Sequence, residues 1–144
     1  MLRIENFTKA YTPGKPAVKD LTLTIENGDI FGFIGHNGAG KTTTIKCCAG
    51  ILQFEQGEIT LDGISIRKDP IAFKKQIAYL PDNPDLYESM TGFKYINFIA
   101  DIYRVDEKRK QQNVQKYADA FELTAELGNP ISAYSHGMKQ KLAI

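Results

Sequence analysis

The 144-residue sequence is short of several things that would commit it to a class. It has no charge surplus: 18 lysines and arginines stand against 17 aspartates and glutamates, a net charge of +1. A nucleic-acid footprint or a basic membrane-binding face needs clustered positive charge, and this balance supplies neither. No apolar run approaches the roughly 20 residues that a helix needs to cross a bilayer. No basic-then-apolar leader opens the chain, which argues against a secretory signal. Cysteine is limited to the adjacent pair Cys47 and Cys48. Neighbours on a helix point in different directions, so a mutual disulfide and shared metal ligation are both disfavoured. Two small, partly buried thiols in a reducing compartment are expected instead. Internal repeats and low-complexity tracts are also absent. These exclusions leave a chain of single-domain size with enough apolar residues for a real core.

Against that background one stretch stands out, FGFIGHNGAGKTTTIK at residues 31–46. The apolar run Ile30–Ile34 reads as a buried parallel strand. It leads into Gly35-His36-Asn37-Gly38-Ala39-Gly40-Lys41-Thr42, which fits G-x-x-x-x-G-K-[ST] at every fixed position. Glycines let the backbone fold tightly with N–H groups turned inward, a nest for phosphate oxygens, and the following helix adds its N-terminal partial positive charge. Asn37, Gly38, Ala39, Gly40, Lys41, Thr42 and Thr43 are therefore the candidate phosphate-binding residues of a nucleoside triphosphate site. Lys41 would reach the β- and γ-phosphates as the catalytic cation, and Thr42 would offer its hydroxyl to Mg²⁺. His36, between the fixed glycines, is expected to face solvent.

The rest of the chain is punctuated clearly. Residues 2–25 read as two strands around Tyr11-Thr12-Pro13-Gly14, the second alternating as Leu21-Thr22-Leu23-Thr24-Ile25. Asn27-Gly28-Asp29 makes a turn. A helix is expected from Thr42 to Ala49, stopped by Gly50, and a hairpin over residues 57–66 turns at Asp62-Gly63. Pro70 opens a short helix after Asp69. Ile77-Ala78-Tyr79-Leu80 reads as another buried strand. From Thr91 the character changes: Tyr95, Phe98, Ile99, Ile102 and Tyr103 share one helical face. Val114, Tyr117, Ala118 and Phe121 form a second such face after the charged stretch 106–112. Ser135-His136-Gly137 opens a last helix, with Ser135 as its N-cap. The expected division is a strand-rich nucleotide-binding core over 1–90 and an α-helical part over 91–144.

A phosphate loop alone does not choose among transporters, kinases, GTPases and motors. The order of the other features resembles the nucleotide-binding domain of ABC (ATP-binding cassette) transporters, over essentially the whole chain. Tyr11 lies ahead of the loop, where that family has an aromatic residue stacked on adenine. GHNGAGKTT at 35–43 is a spelling common in the family. YLPD at 79–82 stands where the family links its core to a helical insert, and YSHGMKQKL at 134–142 resembles the family signature. The resemblance implies an α/β fold, a P-loop NTPase core with N-terminal antiparallel strands and an α-helical subdomain. It implies ATP and Mg²⁺ as ligands and a head-to-tail dimer in which Ser135 and Gly137 contact the γ-phosphate held by the opposite subunit. It further implies a separate membrane-spanning permease subunit as partner, with the ATPase peripheral at the cytoplasmic face of the membrane.

Three positions depart from the family pattern. His136 replaces the first signature glycine and Met138 the signature glutamine. Asp82 stands where a Mg²⁺-sensing glutamine is usual, and an aspartate is a hard oxygen ligand of shorter reach. The family also continues past its signature with an apolar strand ending in Asp-Glu, whose Glu polarises the attacking water. Ile144 falls just before that strand, so the chain is expected to be the first part of a domain, incomplete at its C-terminus, binding ATP–Mg²⁺ weakly and hydrolysing it very slowly. Asp62 and Asp82 each end an apolar run, but the first falls on a turn and the second follows a proline without a partner Glu. The competing functions are a soluble, non-transport ABC ATPase and a small P-loop kinase. A GTPase is disfavoured by the lack of an Asn-Lys-x-Asp motif, and the kinase by the lack of an Arg-rich lid.

Overall fold

Alternation along residues 21–25 and the Pro13-Gly14 break become a long hairpin in the computed structural model, which describes residues 1–144 throughout. Strand β1 (Leu2–Thr12) pairs antiparallel with β2 (Lys15–Ile25), from Leu2 opposite Ile25 to Thr12 opposite Lys15. The other edge of β1 pairs antiparallel with β3 (Gln56–Leu61), which turns back into the short β4 (Ile64–Ser65), giving the order β2-β1-β3-β4. Asp62 and Gly63 make that turn with φ of +46° and +81°, the double positive φ that suits right-twisted strands. Gly57 sits where the β1–β3 register shifts. A Cβ there would lie 2.5–2.6 Å from the Glu5 and Asn6 carbonyl oxygens and the Phe7 Cα, so only glycine lets the two backbones touch.

Two helices belong with this sheet. Helix α1 (Lys41–Cys48) ends as Gly50 turns at φ +68°, and α2 (Pro70–Lys74) starts where the Asp69 carboxylate accepts the Ala72 N–H at 2.9 Å. Ile4, Phe7, Ile59, Ile66, Cys47 and Phe73 form the core between sheet and helices. The Phe7 ring meets that of Phe54 edge-on at 5.2 Å. Both cysteines are free thiols: Cys47 is wholly buried in this core, and burial pushes the Cys48 thiol up to about 12. These elements make up one compact unit, Met1–Tyr79, and residues Leu80–Ile144 make a second.

The second unit is helical: α3 (Gly92–Ile102), α4 (Glu107–Ala120) and α5 (His136–Ala143), with single 3₁₀ turns at Thr124–Glu126 and Ile131–Ala133. Each α-helix begins with a side-chain cap. Thr91 accepts from Lys94 N–H at 3.3 Å, Asp106 from Arg109 N–H at 3.1 Å and Ser135 from Met138 N–H at 3.2 Å. Each cap satisfies one of the donors that a helix start leaves unpaired. Ala118, Leu123 and Leu127 are buried, with Ile96, Val114, Phe121, Met138 and Leu142 packed around them. Gly92 allows the start of α3 to close on this core, because a Cβ would lie 2.5 Å from the Tyr134 hydroxyl. No helix is long and apolar enough to cross a membrane.

Two expectations are corrected. Residues Ile30–Ile34 form no strand, and Ile30 and Ile34 are 103% and 99% exposed. Ile77–Leu80 likewise forms no strand: Ile77 packs on the first core while Leu80 is exposed. The reason is the same for both. A parallel strand takes all its hydrogen bonds from neighbours in the sheet, and the one sheet here runs β2-β1-β3-β4 without either segment. The Phe31 and Phe33 rings meet edge-on, centroids 5.3 Å apart.

Candidate functional site

The loop at residues 35–42 is shaped by two glycines in left-handed conformation, Gly38 at φ +87° and Gly40 at φ +83°. Gly40 has a second constraint. It is buried against β2, where a Cβ would fall 2.6 Å from the Ala17 carbonyl oxygen and 2.6 Å from Val18 Cγ2. The strand therefore fixes the height at which α1 begins. Inside the loop, Ala39 N–H donates to His36 O at 3.2 Å and Thr44 N–H to Gly40 O at 2.8 Å. The N–H groups of Gly38, Gly40, Lys41, Thr42 and Thr43 donate to no protein acceptor, which leaves a row of donors at the positive end of a helix.

The Lys41 ammonium folds back over this loop and donates to Gly35 O at 2.6 Å and His36 O at 2.7 Å. Those short charge-assisted bonds hold the cation at the loop mouth and the loop in an open ring. His36 is exposed, and its Nδ1 lies 2.8 Å from Asn37 O. A carbonyl only accepts, so Nδ1 carries the proton in that contact.

The three threonines of α1 divide their hydroxyls. Thr44 is buried and its Oγ1 donates to Gly40 O at 2.9 Å, while Thr43 Oγ1 lies 3.2 Å from the Tyr11 hydroxyl. Thr42 is exposed and its hydroxyl engages no protein group. An uncommitted hydroxyl beside the nest fits a hydrated Mg²⁺, which keeps several waters and takes few protein ligands when phosphates supply the rest. No cluster of three or more His, Cys, Asp or Glu forms a dedicated metal cage.

Tyr11, 63% exposed, is thereby brought to the phosphate loop, its hydroxyl tied to the first turn of α1. Sequence reasoning missed what stands behind it. Lys9 Nζ lies 5.3 Å from the Tyr11 ring centroid and 2.8 Å from Glu55 Oε1, and the other Glu55 oxygen accepts Ala10 N–H at 2.8 Å. Lys9 and Glu55 move each other in opposite directions. The hydrogen bond to Glu55 raises Lys9 above 10.5, and Lys9, with the Ala10 N–H, holds Glu55 below 4.5. Lys9 was detectable in principle, since residues two apart on a strand share a face. Glu55 was not, being 46 residues away.

Ser135, Gly137 and Asp82 lie in the second unit. Ser135 caps α5, leaving the exposed His136 and Gly137 in its first turn, and no Cβ at Gly137 would touch anything within 4 Å. The carbonyl of the exposed Asp82 accepts Gln140 Nε2 at 2.9 Å, and Lys139 pairs with Glu88, so α5 is tied twice to residues 82–88. Met138, at the expected glutamine position, turns inward onto the Leu123–Leu127 cluster. Lys141 Nζ donates to Phe121 O at 3.0 Å, a cation at the C-terminal end of α4.

Residues 18–144 match the family model described as ABC transporter. An uncharacterised ABC transporter ATP-binding protein of Bacillus subtilis, YhcH, is 33% identical over 144 residues, 100% of this chain and 46% of that protein. The ABC-type transporter ATP-binding protein EcsA of the same organism is 32% identical over 144 residues, 100% of this chain and 58% of that protein. A solved structure described as the ATP-binding subunit of an ABC transporter superposes with a TM-score of 0.89 at 29% identity, covering 99% of this chain and 59% of that one. The chain thus spans about half the length of the curated relatives it matches.

Proposed function

This chain belongs to the ABC transporter family, and from that premise we propose that it supplies the ATP-binding part of a transporter's motor subunit. The observation that carries the proposal is the open phosphate loop: a row of unpartnered N–H groups at the start of α1, with the Lys41 ammonium held at its mouth. Such a nest recognises phosphate oxygens through backbone donors and does not depend on a particular base. Asn37, Gly38, Ala39 and Gly40 form the cradle, and Lys41 moves from the Gly35 and His36 carbonyls onto the terminal phosphates. Thr43 donates to a phosphate nearer the base, and Tyr11 takes the adenine against its exposed face.

When bound, Mg²⁺ would neutralise phosphate charge, with Thr42 offering its hydroxyl as a ligand in the loop; the family resemblance assigns the sensing of the ion to Asp82. In a head-to-tail pair, the start of α5 at Ser135 and Gly137 meets the γ-phosphate held by the other subunit. Two such subunits would drive a separate membrane-spanning permease from the cytoplasmic face.

Calorimetric titration with ATP–Mg²⁺ tests the core of this. Binding that is lost in Lys41→Met at unchanged fold supports it; equal binding by the variant would refute the assignment of the loop. For the transporter role, the native protein should co-purify with an integral membrane protein. Co-sedimentation with ribosomes instead would favour the soluble, non-transport alternative.

A further inference from the structure

We infer that Lys9 and Glu55 are positioning residues for base recognition, bracing the Tyr11 ring from behind so that its outer face is presented to a purine. The inference rests on the nucleotide-binding role proposed above. Tyr11 sits at the end of β1 with most of its ring in solvent, and an exposed aromatic side chain there would ordinarily sample several rotamers. Two contacts restrict it. Its hydroxyl meets Thr43 Oγ1 at 3.2 Å, and one ring face lies 5.3 Å from the Lys9 ammonium.

Lys9 is itself fixed: its side chain is only 12% exposed and is paired to Glu55 Oε1 at 2.8 Å. Glu55 is fixed by Ala10 N–H at 2.8 Å, and its own N–H donates to Thr8 O at 3.3 Å. The bracing runs from the loop before β3, through β1, to the ring and on to the first turn of α1. None of its members lies within residues 35–42, and Thr43 follows directly in the first turn of α1.

The cation has an electronic consequence as well. A positive charge on one ring face draws π density toward itself and leaves the opposite face less negative. An electron-rich purine stacks more favourably on such a face. Lys9 thus acts on the base through Tyr11 and makes no ion pair or hydrogen bond of its own with residues 35–42.

The test compares ATP with inorganic tripolyphosphate, each with Mg²⁺, by calorimetry on the 144-residue chain. Losing a base stacked on an aromatic side chain outright weakens binding about five- to 150-fold, and losing the brace alone should weaken ATP at the low end of that range, about five- to tenfold. Lys9→Met should show that loss for ATP and none for tripolyphosphate, and Lys9→Arg should restore it. In a Tyr11→Ala background the same Lys9 substitution should have no further effect. Should Lys9→Met fail to fold, Glu55→Gln carries the same comparison, since it removes the charge and keeps the shape.

Equal weakening of ATP and tripolyphosphate would overturn the inference, as would a Lys9 effect that persists without Tyr11. A wild-type chain that binds both ligands equally would also overturn it while leaving the phosphate site intact. One that binds neither would remove the proposed function with it.

Discussion

Gly40 and Gly38 differ in a way that makes their alanine variants a controlled pair. Both hold left-handed backbone, at φ +83° and +87°, so an added Cβ costs each about 1–2 kcal/mol in backbone strain. Only at Gly40 does the new atom also strike the scaffold, 2.6 Å from both Ala17 O and Val18 Cγ2, whereas at Gly38 nothing lies within 4 Å. The carbonyl is held in β2, so relief requires α1 or the strand to move. Overpacking of that kind costs about 1–3 kcal/mol more. Gly40→Ala should therefore lose about 2–5 kcal/mol and Gly38→Ala about 1–2 kcal/mol. With a urea slope of about 1.5 kcal/mol/M, the midpoints should fall by about 1.5–3 M and about 1 M respectively. Far-UV circular dichroism during urea titration measures both. If Gly40→Ala unfolds at the same urea concentration as Gly38→Ala, the contact with β2 does not set the start of α1, and that account of the loop fails.

Three further outcomes follow from particular contacts. Glu55 is held below its usual 4.5, chiefly by Lys9, so the unfolded chain binds its proton first as pH drops. Stability from the pair is then complete above about pH 4.5 and lost as pH falls through the folded value, and Lys9→Met should flatten this acid limb of the urea midpoint between pH 7 and 3. On the alkaline side, Lys9 is raised, so its contribution persists through pH 10.5 and goes only above that. Parallel acid limbs would count against the ion pair.

With its thiol at about 12, Cys48 is ionised to only about one part in ten thousand at pH 8, and Cys47 is wholly buried. Iodoacetamide should label neither in the folded chain and both in 6 M guanidinium, read by intact mass; rapid native labelling would contradict the burial. Met138→Gln restores the family residue but places an amide against Leu123 and Leu127, and should lower stability by about 1–2 kcal/mol. A neutral or stabilising result would show that Met138 is not part of that cluster.

The elements that could be read from sequence are those whose determinants are local. Ser135 and Thr91 sit one residue ahead of their helices and Asp62-Gly63 carries its own turn preference, so these starts and the hairpin needed no tertiary information. The charged stretch 106–112, by contrast, proved to belong to α4, behind its cap Asp106. The segments 30–34 and 77–80 are apolar in the way buried strands are, yet burial is conferred by a neighbour that sequence does not name. The phosphate loop was legible because its pattern encodes backbone geometry. The pairing of Lys9 with Glu55 was not, because a single contact across 46 residues leaves no periodicity. Met138 was noticed as a departure, and only packing explains it.

The two carbonyl bonds to Lys41 also impose a threshold. Any anion that takes that ammonium must replace hydrogen bonds of 2.6 and 2.7 Å that the protein already makes with itself. A ligand with two or three linked phosphates engages the cation and the row of free N–H groups at once, so its gain grows with each oxygen while the displacement is met only once. Under the proposed function the lysine would thus act as a built-in competitor, and the loop would favour linked phosphates over a single one.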